Sequence, residues 1–318
     1  MLPAALAGVM KELPVFEGFR KFNRIYEPSG VQQLADGRFV VVEDEAGHPL
    51  DLFTLRPDGE LIEAPLYRGS LFGWVSPNRA LASLEDLEAV ATDDQGRIYA
   101  ITSHSRKENG KRADGRERLV RFGLDGERVV DMRVLRGLRK EISARHKGLR
   151  KAAKIRDVKD DGGFNIEGLS FDADSRRLLI GLRSPLAGSN AIIVALENPQ
   201  AVFDGDERPR ISEQLIELDL AGGGIRGMSY DPHLGGFLII SRKPDKAFKL
   251  WLWRGDAGEA PQRVRIPGLK NLRQAEGVTP VRLDGRAVGI LIVSDDGFGV
   301  KGKPGHYLFL RYDQLVSQ

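Results

Sequence analysis

The 318 residues include no cysteine, which excludes disulfides, thiolate metal sites and a cysteine nucleophile. A net charge of +3 is too small to imply a polyanionic partner by itself, and no apolar run approaches the roughly 18 residues of a membrane span. With 41% hydrophobic residues and frequent glycine-containing turns, the chain can bury a sizeable core and reads as a single domain over 1–318.

The N-terminal stretch MLPAALAGVMKELPVF lacks the basic n-region and long apolar core of a secretory signal. A cytoplasmic location is therefore expected, or a periplasmic one if a leader has been removed. Within this stretch Lys11–Phe16 reads as a short strand with no partner of its own. Four strands follow at Gly30–Leu34, Arg38–Glu43, Leu50–Leu55 and Leu61–Leu66, bounded by Gly, Pro or Asp turns. An irregular segment, Gly69–Ser83, precedes a second group at Leu87–Ala91, Arg97–Thr102, Arg118–Gly123 and Arg128–Val134. Its second and third strands are joined by a long polar loop, Ser105–Glu117, of a length more often functional than idle.

The next segment, Arg136–Asp161, does not read as strand. Leu138, Ile142, Leu149 and Ala153 recur at helical spacing, with Arg139, Lys140, Arg145, Lys147, Arg150, Lys151 and Lys154 mostly elsewhere. One or two basic amphipathic helices are expected there, set on the surface. A third group of strands comprises Ile166–Phe171, Leu178–Leu182, Ala191–Leu196 and Gln214–Leu218. A fourth comprises Ile225–Tyr230, Phe237–Ser241, Phe248–Trp253 and Gln262–Ile266. The fifth has three obvious strands, Gly277–Val281, Val288–Val293 and His306–Arg311.

The start of every group is a copy of one sentence. NIEGLSFDADSRRLLIGLRSP at Asn165–Pro185 is matched by EPSGVQQLADGRFVVVEDE, DLEAVATDDQGRIYAITSHS, GIRGMSYDPHLGGFLIISRKP and QAEGVTPVRLDGRAVGILIVSDDG. Aligning the small residues Gly30, Ala89, Gly168, Gly227 and Gly277 brings Ser29, Glu88, Glu167, Arg226 and Glu276 into register, at intervals of 59, 79, 59 and 50 residues. Without the roughly 25 residues of the helical segment, the long interval falls in the range of propeller blades. The expected fold is all-β: a five-bladed β-propeller of four-stranded blades, closed when Lys11–Phe16 supplies the missing outer strand of the last blade. Six blades is the alternative, if Gly69–Ser83 forms regular structure.

The first strand of each blade lines the central channel, so the five aligned residues converge on the axis. Three carboxylates with one Arg and a Ser hydroxyl admit two readings. Either Ser29, Glu88, Glu167 and Glu276 hold a divalent cation such as Ca²⁺ in a hard-oxygen site, or Arg226 ties the glutamates into an ion-pair network. A second set comes from the ends of the second strands: Glu43-Asp44, Ser103-His104, Arg183-Ser184, Arg242-Lys243 and Asp295-Asp296. Arg183, Arg242 and Lys243, with Arg226, make an anion-recognition set, while His104, Asp295 and Asp296 are candidate proton carriers. No Gly-rich phosphate loop, His-Glu metal motif or nucleophile elbow occurs.

The stretches NIEGLSFD…LLIGLRSP, DLEAVATD…IYAITSHS and QAEGVTP…ILIVSDDG resemble a bacterial propeller family catalogued as domain of unknown function 3616, over most of Asp86–Gln318. This resemblance implies a β-propeller and little about activity. The order Ser29, Glu88, Glu167, Arg226, Glu276 is also similar to the five-bladed calcium-activated nucleotidases, or apyrases, whose inner strands hold a central Ca²⁺. Arg226 stands where that family would offer a serine.

These readings lead to a Ca²⁺-centred propeller hydrolase acting on a phosphate-bearing or other anionic small molecule. In that picture the metal polarises a phosphoryl oxygen or orients water, Arg183 and Arg242 hold the anion, and His104, Asp295 or Asp296 moves the proton. One alternative is a non-catalytic scaffold whose basic segment contacts an acidic partner, with nucleic acid the less expected one. Another is a propeller lactonase or esterase.

Overall fold

A computed structural model describes residues 18–44, 49–56, 59–65, 81, 83–156, 158, 161–244, 246–256, 258–269, 271–295 and 303–317. The predicted groups of strands form five antiparallel sheets, each ordered as in the chain from an inner first strand outward. The first blade is Pro28–Gln33, Phe39–Glu43, Leu50–Leu55 and Leu61–Pro65. The second is Leu87–Thr92, Ile98–Thr102, Arg118–Asp125 and Arg128–Arg136. The third is Asn165–Asp172, Arg177–Ser184, Ala191–Leu196 and the short Ile216–Leu218. The fourth is Gly224–Asp231, Gly236–Arg242, Lys249–Trp253 and Gln262–Arg265, extended at its edge by Val316–Ser317. The fifth joins Ala275–Leu283, Arg286–Ser294 and His306–Arg311 to Arg20–Lys21.

Each inner strand packs on that of the next blade, and the fifth returns to the first, so the ring is closed. An N-terminal strand closes the last blade as expected. That strand is Arg20–Lys21, paired with Tyr307 and His306, while Lys11–Phe16 lies outside the described residues. Five blades account for every described sheet. The segment on which a sixth blade depended, Gly69–Ser83, lies outside the described residues except for Leu81 and Ser83.

The core sits between blades, and period-two geometry explains how one strand serves two neighbours. In the second strand of the fourth blade, Phe237 and Ile239 pack toward the third blade, while Leu238 and Ile240 join the cluster shared with the fifth and first. Val40 and Val42 likewise face the second blade, and Phe39 and Val41 the opposite side. A strand covered on both faces reads as a continuous apolar run such as FVVV or FLII rather than as an alternation.

The basic segment forms two helices, α1 (Leu138–Arg145) and α2 (Lys147–Ala152). Leu138, Ile142 and Leu149 are buried in the cluster shared by the second and third blades, together with Phe164, Ile166 and Leu182. Arg139 departs from the expected solvated face. It is buried and bonds both carboxylate oxygens of Glu117, at 2.9 and 3.0 Å. A third helix, α3 (Pro199–Asp204), lies in a segment with no helix expectation. Phe203 packs edge-on to Tyr99, and Asp204 pairs with Arg121 at 2.5 Å and Arg97 at 3.0 Å, pinning the third blade to the second. Among the described residues, no helix is long and apolar enough to cross a membrane.

Candidate functional site

In every inner strand the ladder with the second strand skips one residue: between Pro28 and Gly30, Leu87 and Ala89, Ile166 and Gly168, Ile225 and Gly227, and Ala275 and Gly277. The skipped residues are Ser29, Glu88, Glu167, Arg226 and Glu276. Each ring residue is thus the extra residue of a β-bulge, a device that re-aims a side chain and sharpens local twist. The small residue that follows lets inner strands meet backbone to backbone. A Cβ on Gly277 would lie 2.9 Å from Val31 N and 3.0 Å from Gly30 Cα, and one on Gly30 would lie 3.0 Å from Ala89 Cα.

The structure brings three of the five ring side chains into direct contact. Arg226 donates from Nε to Glu276 Oε2 at 2.8 Å and from Nη2 to Glu276 Oε1, while its Nη1 lies 2.7 Å from Glu167 Oε2. Glu167 Oε1 also accepts from Arg183 Nη1 at 2.8 Å and from Asn165 Nδ2 at 3.0 Å. Burial works against the Arg226 cation, but Glu167 and Glu276 outweigh it and hold its pKa above the usual value. Burial is also the main reason that the Glu276 carboxyl is pushed up to about 7; Arg226 opposes the shift and Glu167 adds to it. Ser29 Oγ donates to the Glu27 carbonyl at 3.3 Å.

Glu88 stands apart from this network. Among the described residues its side chain has no hydrogen-bond partner. Burial first, then Glu167, Asp86 and Asp44, raises its pKa well above the usual carboxylate range, with Arg226 opposing. Asp44 keeps contact with solvent, yet the protein around it displaces enough water that desolvation, followed by Asp86 and Glu27, pushes its carboxyl up to about 8. Asp86 has a positive φ of 62° and accepts hydrogen bonds from Ser103 Oγ and from Ser105 Oγ (3.1 Å), with Arg116 Nη1 at 2.9 Å. Blades one and two therefore give the channel end an acidic side.

Blades three and four give it a basic one. A cavity of about 680 Å³ opens between α2 and these blades; its walls include Lys151, Arg183, Arg226 and Arg242, with Asp161 the one carboxylate among the described lining residues. Gly222 and Gly224 line it too, because the inner strand runs directly over the Arg183 backbone at Gly224. Arg242 lies over the Phe248 ring at 5.0 Å, and its buried Nε has no partner. It makes no ion pair among the described residues. Lys243 is exposed, and its side chain runs beside Gly222 at the cavity edge.

The ends of the second strands lie at the same channel end as the ring. Antiparallel pairing requires it: Pro28 faces Glu43, Leu87 faces Thr102, Asn165 faces Ser184, Gly224 faces Arg242 and Ala275 faces Ser294. The candidate proton carriers fare differently. His104 is buried with its Nδ1 2.8 Å from the Thr102 carbonyl, which makes Nδ1 the protonated nitrogen and leaves Nε2 a bare acceptor. His104 lines a separate small pocket with Arg106, Glu117, Arg139 and Phe164, and burial is the first cause of a pKa lowered to about 4. Asp295 is partly exposed, and its amide donates to the Gln274 carbonyl at 3.0 Å. Asp296 lies outside the described residues.

A resident Ca²⁺ needs free carboxylate oxygens around it. Both oxygens of Glu276 are on Arg226, and both oxygens of Glu167 are engaged by Arg226, Arg183 and Asn165. Ser29, Glu88, Glu167 and Glu276 do not together fit the ion. Among the described residues no cluster of three or more His, Asp or Glu side chains is arranged to hold a metal. Asp86 is a site residue that the repeat alignment does not single out. The acidic doublet Glu85-Asp86, at the start of the second repeat, is the signal that points to it.

The fold and this channel end define a five-bladed propeller with a half-acidic, half-basic mouth. Residues 153–298 match the family described as "Protein of unknown function (DUF3616)", so the resemblance read from the repeats stands, over a narrower span than Asp86–Gln318. No curated protein matches the chain. Among solved structures it is similar to a glucose dehydrogenase, at 14% identity and a TM-score of 0.45, covering 92% of this chain and 99% of that one. It is also similar to a gluconolactonase from Xanthomonas campestris, at 12% identity and a TM-score of 0.41, covering 93% and 84%. A third is the allergen Mala s 1 of Malassezia sympodialis, at 14% identity and a TM-score of 0.41, covering 91% and 78%. Values this low carry no argument about chemistry.

Proposed function

We propose that the protein is a propeller hydrolase that takes a small anionic molecule, a phosphate ester or an anionic lactone, into the basic cavity and hydrolyses it, water adding to the phosphorus or the carbonyl carbon while the ester oxygen leaves with a proton. The observation that carries this reading is the placement of Glu88. Burial and the neighbouring carboxylates raise its pKa well above the usual carboxylate range, with Arg226, which itself lines the cavity, opposing. A neutral carboxyl can donate a proton to a leaving oxygen, and its environment is of the kind that tunes catalytic acids. Arg242, with no carboxylate partner among the described residues, and Lys151 offer positive charge to the anionic group. Arg183 is already bonded to Glu167 and offers its remaining N–H groups.

The test is turnover of matched panels of phosphomonoesters and lactones by wild-type protein, Glu88→Gln and Arg242→Ala. Glu88→Gln should lower kcat by about 10²–10⁴-fold while leaving ligand affinity in place. Arg242→Ala should raise KM with a smaller effect on kcat. Equal rates for wild type and Glu88→Gln on every cleaved substrate would remove Glu88 from the chemistry.

A specific observation keeps the scaffold reading in view. Lys140, Lys147 and Lys154 are exposed on the helical segment with no ion pair among the described residues, whereas Arg139 pairs with Glu117 and Arg145 with Glu213. An acidic partner would bind there in a salt-sensitive way. Cleavage abolished by Glu88→Gln but untouched by Lys140, Lys147 and Lys154 replacements would separate the two sites.

A further inference from the structure

The long loop of the second blade and the segment carrying α1 and α2 close on a second cavity, of about 10 Å³, lined by His104, Arg106, Arg112, Glu117 and Arg139. Three arginines share one carboxylate there, and both oxygens of that carboxylate, on Glu117, are taken by Arg139. Arg106 and Arg112 make no ion pair among the described residues, and the buried Nε of Arg106 has no hydrogen-bond partner. His104 is 2% exposed, and its Nε2 is also without a partner. Positive charge left unpaired beside an unmet ring nitrogen is costly. We propose that this pocket binds one compact monovalent anion of halide size, taken up together with a proton on His104 Nε2.

Size, charge and position support this. A volume of this order holds one particle about as large as a water molecule, which favours a halide over a phosphate. Burial first, then Arg112, Arg139 and Arg156, lowers the Arg106 pKa, with Glu117 opposing; an anion relieves that repulsion. The Nδ1 proton of His104 is committed to the Thr102 carbonyl, so Nε2 can meet an anion only by carrying a second proton. Arg139 and Arg118 oppose that proton and Glu117 favours it. An anion cancels the arginines' share, so anion and proton promote each other's binding. The site also joins two elements. Arg106 Nη1 donates to the Gly110 carbonyl at 3.0 Å, and a Cβ on Gly110 would lie 3.1 Å from Arg156 Cβ, so the loop packs on the stretch after α2. Ala152, Ile155 and Val158 of that stretch line this pocket and the large cavity alike. An anion shared by Arg106 and Arg112 of the loop and Arg139 of α1 therefore stiffens one wall of the large cavity.

The experiment melts full-length wild type, Arg112→Gln and Arg106→Gln in sodium chloride and in sodium gluconate of equal ionic strength, at pH 5.5 and pH 8. Chloride should raise the wild-type midpoint by about 3 °C at pH 5.5 and a tenfold excess over Kd, and by less at pH 8. Both variants should lose most of that response. Arg112 is exposed, so its replacement keeps the test open if Arg106→Gln folds poorly. In gluconate Arg112→Gln removes only repulsion and should melt no lower than wild type; a lower midpoint in both salts would assign the arginine to structure and overturn the proposal. Equal wild-type midpoints in the two salts, an undiminished chloride response in Arg112→Gln, or a response that ignores pH would mean that the pocket holds water, and each also overturns it. Arg106 and Arg112 do not line the large cavity, so an anion bound there shifts all three proteins alike. None of these readouts involves turnover, so they decide the proposal whether or not hydrolysis is found.

Discussion

Glu43 ends the second strand of the first blade, buried, with Oε2 accepting the backbone amides of Tyr26 at 2.7 Å and Glu27 at 3.2 Å. Two amide donors favour the charged carboxylate, but burial and the neighbouring Asp51 outweigh them and push the group up to about 9 from an ordinary value of 4.5. A carboxyl raised on folding binds its proton more tightly in the native state than in the unfolded one. Its contribution is fully present below about 4.5 and is lost as pH rises through about 9. Glu43→Gln mimics the protonated form. We expect the urea midpoint of this variant to change little between pH 7 and pH 9.5, while that of wild type falls over the same interval. Parallel curves for the two proteins would mean that the native pH dependence arises elsewhere in the acidic side of the mouth, with Asp44 the next group to replace.

At the scale of the element, the bulge and its glycine act as one device. Gly227 is pressed against the Glu276 carbonyl, so Gly227→Ala must move one inner strand off another and should cost about 1–3 kcal/mol by urea denaturation. At Gly126, a turn glycine with open space around it, the same replacement meets no neighbour and is opposed only by its φ of 60°. A Gly227→Ala variant no less stable than wild type would show that the inner strands are not held at backbone contact. This device is legible in the amino-acid sequence, because five copies align on the small residue and the one before it. The bulge itself is not, since an inner strand buried along nearly its whole length, such as Asn165–Asp172, has no apolar alternation for an extra residue to interrupt. Antiparallel pairing alone already puts the end of each second strand beside the start of the first, so topology is enough to place Arg183 and Arg242 at the ring end. It does not give the direction of His104: a positive φ of 55° turns that residue from the channel into the pocket beneath α2, and nothing in the letters around it announces that turn.

For the whole molecule the question is how a ring of five sheets, each paired only within itself, is held shut. Closure falls to a two-residue strand, Arg20–Lys21, and to the residue after it. Phe22 is almost fully buried, its ring 4.9 Å from Tyr307 in the last blade and 5.7 Å from Phe53 in the first. Its amide donates to the Gly305 carbonyl at 3.0 Å, and the Gly305 amide returns a bond to the Ile25 carbonyl at 2.9 Å. Phe22 is thus a staple between the chain's two ends, whereas Phe122, equally buried, sits in the cluster shared by the first and second blades. Truncating either ring to Ala should cost about 3–5 kcal/mol. The spatial pattern of the loss should differ. Phe22→Ala releases the strand that joins the end of the ring to its beginning, so amide exchange should rise first at Lys21, Tyr307 and Phe309 and spread along the seam between the fifth and first blades. Phe122→Ala should leave that seam protected and raise exchange through its own pair of blades. If both variants raise exchange uniformly over all five blades, the propeller opens only as a unit, and the N-terminal strand adds stability without governing where the ring begins to fail.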